Sequence, residues 1–134
     1  MHCYFNVVLL NVVCMKKPVK AAIVGSRTFS DYEKMYAFIQ KIRQEKELFI
    51  YEVISGGASG ADQLAERYAN ENGKVLKVIK PDWKQGLGAG IARNEKIIKA
   101  CDVCFAFWDG SSHGTKSDIE FCKKQGKPCY ICRF

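Results

Sequence analysis

Two signatures that announce common nucleotide chemistries are missing from this chain. No glycine-rich loop leads into Gly-Lys-Ser/Thr at P-loop spacing, and no G-x-G-x-x-G follows the first apolar run. Ordinary nucleoside-triphosphate hydrolysis and ordinary nicotinamide-dependent redox chemistry are both disfavoured. Acidic residues are also scarce, with 14 Asp+Glu against 21 Lys+Arg and a formal net charge of +7. That excess favours anionic partners and carries no information about fold. The lysines are scattered (Lys16, Lys17, Lys20, then Lys74, Lys77, Lys80, then Lys123, Lys124, Lys127) and no aromatic-interleaved basic stripe gathers them. A solvated basic surface is the expectation, ahead of a nucleic-acid groove. Repeats, low-complexity tracts and linkers are absent, and 134 residues suit a single domain with a real core.

No apolar run is long enough to cross a bilayer. The longest candidate, Tyr4–Val13, is interrupted by Asn6 and Asn11 and lacks the basic flank of a signal peptide. A cytoplasmic protein with no membrane partner is expected. Met15 followed by Lys16, Lys17 and Pro18 resembles a natural start, so residues 1–17 are set apart as an N-terminal extension of uncertain structure. Residues 18–134 are read as the domain. The extension offers an added strand or an association surface, and a homo-oligomer is an open expectation.

Cysteine, by contrast, is plentiful, at seven residues. Cys101-x-x-Cys104 and Cys129-x-x-Cys132 have the form of a zinc-binding CxxC…CxxC pair. Yet Cys104 falls in the strand-like run Val103–Phe107, and Cys129 and Cys132 in the run that begins at Pro128. Residues three apart in a strand point to opposite faces, so neither pair converges on one ion without a turn. The expectation is small apolar core residues, with no metal and no cofactor.

From Val19 onward strand and helix signals alternate. Val19–Val24, Phe49–Ile54, Val75–Ile79, Asp102–Phe107 and Pro128–Cys132 read as strands. Ser30-Asp31-Tyr32-Glu33 reads as a capping box, with Ser30 capping a helix whose Tyr32, Met35, Tyr36, Ile39 and Ile42 form one apolar face. Ala61, Leu64, Ala65, Tyr68 and Ala69 fall at helical spacing, and Gly73 closes that helix. After the loop Asp82–Gly88 a third helix carries Ile91, Ile97 and Ile98, and a fourth runs from about Thr115 to Gln125. Continuous apolar strands mean burial on both faces. The fold class is therefore α/β, a Rossmann-like three-layer sandwich with a five-stranded parallel sheet, order 3-2-1-4-5, and helices on both faces.

In an open parallel sheet ligands bind beyond the carboxyl ends of the strands. Three such ends carry glycine-bearing loops that run into helices. They are Gly25-Ser26-Arg27, then Ser55-Gly56-Gly57-Ala58 leading to Asp62, and Asp109-Gly110 continuing through Ser112 and Gly114 to Thr115. Helix N-termini offer free amides and a partial positive charge, and glycine lets a phosphate approach closely. Hydroxyls on Ser26, Ser55, Ser112 and Thr115 supplement the amides, and Arg27 adds charge. One such loop alone has a geometric explanation, whereas three on one sheet edge indicate a site. Trp108 and Trp83 fit base stacking and core-edge packing equally. Asp62 fits both a helix-stabilising carboxylate and a ribose-hydroxyl acceptor, and Asn94 fits a bond to a ligand or to a neighbouring loop. His113, with no assigned partner, reads as exposed.

These segments, together with Asp82-Trp83, Ala89-Gly90-x-x-Arg93-Asn94 and Ala106-Phe107-Trp108-Asp109-Gly110, resemble the YspA-type branch of the SLOG superfamily. That superfamily takes in the DprA DNA-processing proteins and the LOG phosphoribohydrolases. The resemblance runs from about Ala21 to the C-terminus. It implies a Rossmannoid fold binding a nucleotide or a nucleotide-derived, ADP-ribose-like ligand. LOG enzymes cleave a nucleotide N-glycosidic bond with an arginine and a glutamate in PGGxGTxxE. Here Arg93 stands at the arginine's place, and Gly114-Thr115-Lys116-Ser117-Asp118 matches GTxxE with Asp118 for glutamate. Asp118 is one methylene shorter and the loop is not Pro-Gly-Gly, so a first-turn carboxylate favouring its helix dipole is the competing expectation for Asp118. Three readings stand: nucleotide-ligand binding, glycosidic-bond hydrolysis with Arg93 and Asp118 as catalytic residues, and DprA-like single-stranded DNA binding.

Overall fold

The computed structural model describes residues 16–134, so the apolar leader and most of the N-terminal extension lie outside the described residues. The elements run β1 (Lys17–Gly25), α1 (Tyr32–Lys46), β2 (Leu48–Ser55), α2 (Ala61–Glu71) and β3 (Val75–Val78). A 3-10 turn (Trp83–Gly88) then leads to α3 (Ala89–Ala100), β4 (Val103–Trp108), α4 (His113–Gln125) and β5 (Cys129–Arg133). The five strands form one sheet in the order β3-β2-β1-β4-β5, and every neighbouring pair is parallel. The chain leaves β1 toward β2 and β3 on one side and returns to β4 and β5 on the other. The order therefore reverses at the β1/β4 boundary, where a ligand crevice opens in such sheets.

Strand alternation divides the core between two faces. Val19, Ala21 and Ile23 of β1 pack with Met35 and Ile39 of α1 and with Ala61, Ala65 and Tyr68 of α2. Ala22 and Val24 turn the other way and pack with Ile97 and Ile98 of α3 and Cys122 of α4. Cys129 joins this second face while Cys132 joins the first, so that pair points apart as a strand requires. Helices thus cover both faces, which explains the unbroken burial of Val103–Phe107 in β4. Among the described residues no helix is long and apolar enough to cross a membrane.

Local rules hold with two corrections. Gly73 follows α2 at φ 65° and Gly126 caps α4 at φ 68°, both left-handed as a closing glycine should be. The cap of α1, however, is Asp31 and not Ser30: the Asp31 carboxylate accepts the Lys34 amide at 3.0 Å. The helix starts one residue later than the capping box required, and an anionic acceptor suits the positive helix end better than a hydroxyl. Ile91 is 62% exposed, although its spacing placed it with Ile97 and Ile98 on the apolar face. It borders a depression between α3 and α4, alongside Ser117 and Phe121, and does not reach the sheet.

Candidate functional site

At the reversal point a cleft of about 440 Å³ opens on the carboxyl edge of the sheet. Gly25, Ser26 and Arg27 after β1, Ala58 after β2, and Asp109, Ser112, Gly114 and Thr115 after β4 all line it. Asp62 enters from α2, Arg93 and Asn94 from α3, and Asp118 from α4. The three loops read from sequence as one site therefore do meet in one space.

Hydroxyls form a short chain across its floor. Ser26 Oγ and Ser112 Oγ share a hydrogen bond at 2.9 Å, and Ser112 Oγ donates to Thr115 Oγ1 at 3.2 Å. Ser112 is the cap residue of α4, yet its side chain bonds no helix amide. The first-turn amides of α4 thus have no side-chain cap, and Gly114 and Thr115 of that turn border the cleft. Asp109, which also lines the cleft, braces the loop. It accepts the amides of Ser111 at 2.9 Å and Ser112 at 2.8 Å, and these bonds hold its carboxyl below the usual carboxylate range.

The β2 loop is built around Asp62 and Arg93. Ala58 donates its amide to Asp62 Oδ2 at 3.1 Å, while Arg93 donates to the Gly56 carbonyl at 2.6 Å and to Asn94 Oδ1 at 2.7 Å. A Cβ on Gly56 would stand 2.6 Å from the Arg93 guanidinium and 2.8 Å from Asp62 Oδ2. Only glycine lets these two side chains close over that backbone. Gly60 meets a second restriction, because it sits at φ 76° and a Cβ there would run into the Arg27 backbone.

Electrostatically the cleft sets three carboxyls, Asp62, Asp109 and Asp118, against the guanidinium groups of Arg27 and Arg93. Burial raises the Asp62 carboxyl above its ordinary value, against the pull of the Ala58 amide and Arg93. Asp118 is pushed up to about 7, first by burial and then by Cys122 and Asp62, with Arg93 pulling it down. The expected helix-dipole role for Asp118 is not what the structure shows. No acidic residue lies in the first turn of α4, and Asp118, one turn further on, is 6% exposed and lines the cleft.

The comparisons with known proteins bear on this architecture. A family model for the YspA, cpYpsA-related SLOG family matches residues 19–86, slightly over half of the chain. The chain belongs to that family. A curated relative of this chain is the Gene 61 protein of Mycobacterium phage D29, 32% identical over 117 residues, with 81% of this chain and 92% of that protein covered. The fold also matches DNA processing protein A from Helicobacter pylori, studied for its single-stranded DNA binding, at a TM-score of 0.63 and 21% identity over 90% of this chain and 67% of that one. DNA processing protein A from Streptococcus pneumoniae matches at 0.59 and 21% identity, over 91% of this chain and 52% of that one. This chain spans about half the length of the pneumococcal protein. At such identities these two likenesses establish the fold alone.

Within that SLOG fold, several residues singled out from sequence stand apart from the cleft. Ser55 is fully buried and its hydroxyl donates to the Asp62 carbonyl at 3.2 Å, so it braces the loop. Trp108 donates its indole N–H to the Ser112 carbonyl at 3.0 Å and packs beneath Arg133, with 5.2 Å from guanidinium to ring. Both are contacts of a residue that packs the edge of the fold. Gly110, at φ 89°, lies against Arg133. His113 is exposed, as expected. Gly56 and Gly57 border a neighbouring depression together with Lys80 and Trp83, and Arg27, Ala58 and Arg93 line both spaces. Sequence reading missed Lys80 and Thr28. Lys80 lies two residues beyond β3 as Arg27 lies two residues beyond β1, so its place past a strand's carboxyl end was the available signal.

Proposed function

We propose that this protein binds a nucleotide-derived, ribose-phosphate ligand in the cleft at the carboxyl edge of its sheet. One observation carries the reading: three glycine-bearing loops and Arg93 converge on a single space of small-ligand size. The amides of Gly114 and Thr115, the hydroxyls of Ser26 and Ser112, and Arg27 hold phosphate. Asp62 faces the same space and suits a sugar hydroxyl. The adjoining depression, with Lys80 beside Gly57 and the exposed Trp83, accommodates a second phosphate and a base.

The test is calorimetric titration with nucleoside monophosphates and ADP-ribose, followed by chromatography of the recovered ligand. Saturable binding with the ligand returned intact is expected. Ser26→Ala and Ser112→Ala should each weaken it by about 0.5–1.5 kcal/mol. No binding of any such ligand would exclude the reading.

A second reading, hydrolysis of a nucleotide N-glycosidic bond, is favoured by Asp118. A buried carboxyl poised near 7 beside Arg93 suits proton exchange at neutral pH, and its anion suits a ribosyl centre developing positive charge. Free base and ribose phosphate in the recovered material, lost in both Arg93→Ala and Asp118→Asn, would establish it. Turnover undiminished in both variants would exclude it.

A further inference from the structure

A cluster of thiols lies in the sheet layer beneath α4. Cys104 of β4 and Cys129 of β5 are register partners in parallel neighbouring strands, so both side chains leave the sheet on the same face. Cys122 descends onto them from α4, and the three sulfurs all lie within 4.8 Å of one another. Neither CxxC motif predicts this group, because it takes one cysteine from each motif and a third from the helix between them. Cys101 stays outside it and turns its thiol to the Ile98 carbonyl, while Cys132 points to the opposite face.

We propose that Cys104, Cys122 and Cys129 bind one thiophilic d10 cation, tying α4 to the β4–β5 edge of the sheet. Metal–sulfur bonds of zinc length place bound sulfurs roughly 3.8–4.0 Å apart, so the trio closes on an ion with less than about 1 Å of movement. Thiolates select soft ions such as zinc, cadmium and Cu(I) over hard ones. Cys104 and Cys122 are fully buried and Cys129 half-buried, which gives the ion one route in and otherwise excludes competing water ligands. No electrons move: each thiol that ligates releases its proton to solvent. The proposal is independent of what fills the cleft.

The test titrates full-length, reduced and chelator-treated protein with Cd2+. Cys3→Ser and Cys14→Ser remove the two cysteines outside the described residues. One Cd2+ per chain is expected, with an ultraviolet thiolate-to-cadmium band and a raised thermal midpoint. Cys129→Ser, at the half-buried position, should weaken binding by at least about tenfold, as should Cys122→Ser. Cys132→Ser should leave it unchanged. Absence of stoichiometric uptake, or equal uptake in a folded Cys129→Ser variant, would overturn the proposal.

Discussion

At the scale of single residues, Asp118 ties stability to pH. Its carboxyl is raised to about 7 in the fold from an ordinary 3.8, mainly by burial, with Asp62 of α2, Arg93 of α3 and Cys122 of α4 as its charged or titratable neighbours. Between those values the folded chain holds a proton that the unfolded chain has lost. Stability from this group is therefore complete below the unfolded value and is lost as pH rises through the folded one. Asp118→Asn in chelator-treated protein should remove that slope and leave the variant more stable above neutrality by about 2–4 kcal/mol. Urea melts of both proteins across pH check this, and equal slopes would refute the burial argument. Gly60 makes the opposite kind of demand. Its positive φ and its contact with the Arg27 backbone leave no room for a methyl group, so Gly60→Ala should cost about 1–3 kcal/mol. A denaturation midpoint equal to the parent's would show that the loop relaxes freely.

At the scale of elements, the start of α1 separates two capping schemes. Asp31→Ala should cost about 1 kcal/mol and Ser30→Ala less than about 0.5 kcal/mol, because only Asp31 accepts an amide of the first turn. A larger loss at Ser30 would restore the capping box. Ser30 and Asp31 were hard to separate in sequence because both are good caps and helix starts are blurred by a residue. The strands were plain, since Val103–Phe107 is apolar throughout and Val19–Val24 is apolar but for Lys20, at the length that buried parallel strands require. The glycine loops were legible for the same reason, because each follows such a run directly. Asp118 and the thiol trio were not. Whether a carboxyl faces a helix dipole or a cleft depends on what packs over that helix, and here α2 and α3 supply the neighbours from far along the chain. Cys104 and Cys129 meet only through strand pairing, which motif spacing does not encode.

At the scale of the whole molecule, a formal charge of +7 attracts every polyanion, so affinity alone will not separate a nucleotide from a DNA strand. Salt dependence does. Each phosphate of a single strand that the protein neutralises contributes about −0.7 to the slope of log K against log salt. The cleft and its neighbour gather Arg27, Arg93 and Lys80, and Arg93 already donates to Gly56 and Asn94. A ligand confined there meets few cations, and its slope should stay between about −1 and −2. An oligonucleotide using the scattered surface lysines should bind with a slope of about −3 or steeper, and without saturating at one site. Anisotropy titrations of a labelled nucleotide and a labelled oligothymidine at several salt concentrations make the comparison. Adding unlabelled nucleotide makes it decisive. If the cleft is a small-ligand site, nucleotide displaces labelled nucleotide and leaves the oligonucleotide bound. If the oligonucleotide is displaced stoichiometrically and loses affinity with Ser26→Ala, the strand itself enters the cleft, and the small-ligand reading gives way to single-stranded DNA binding.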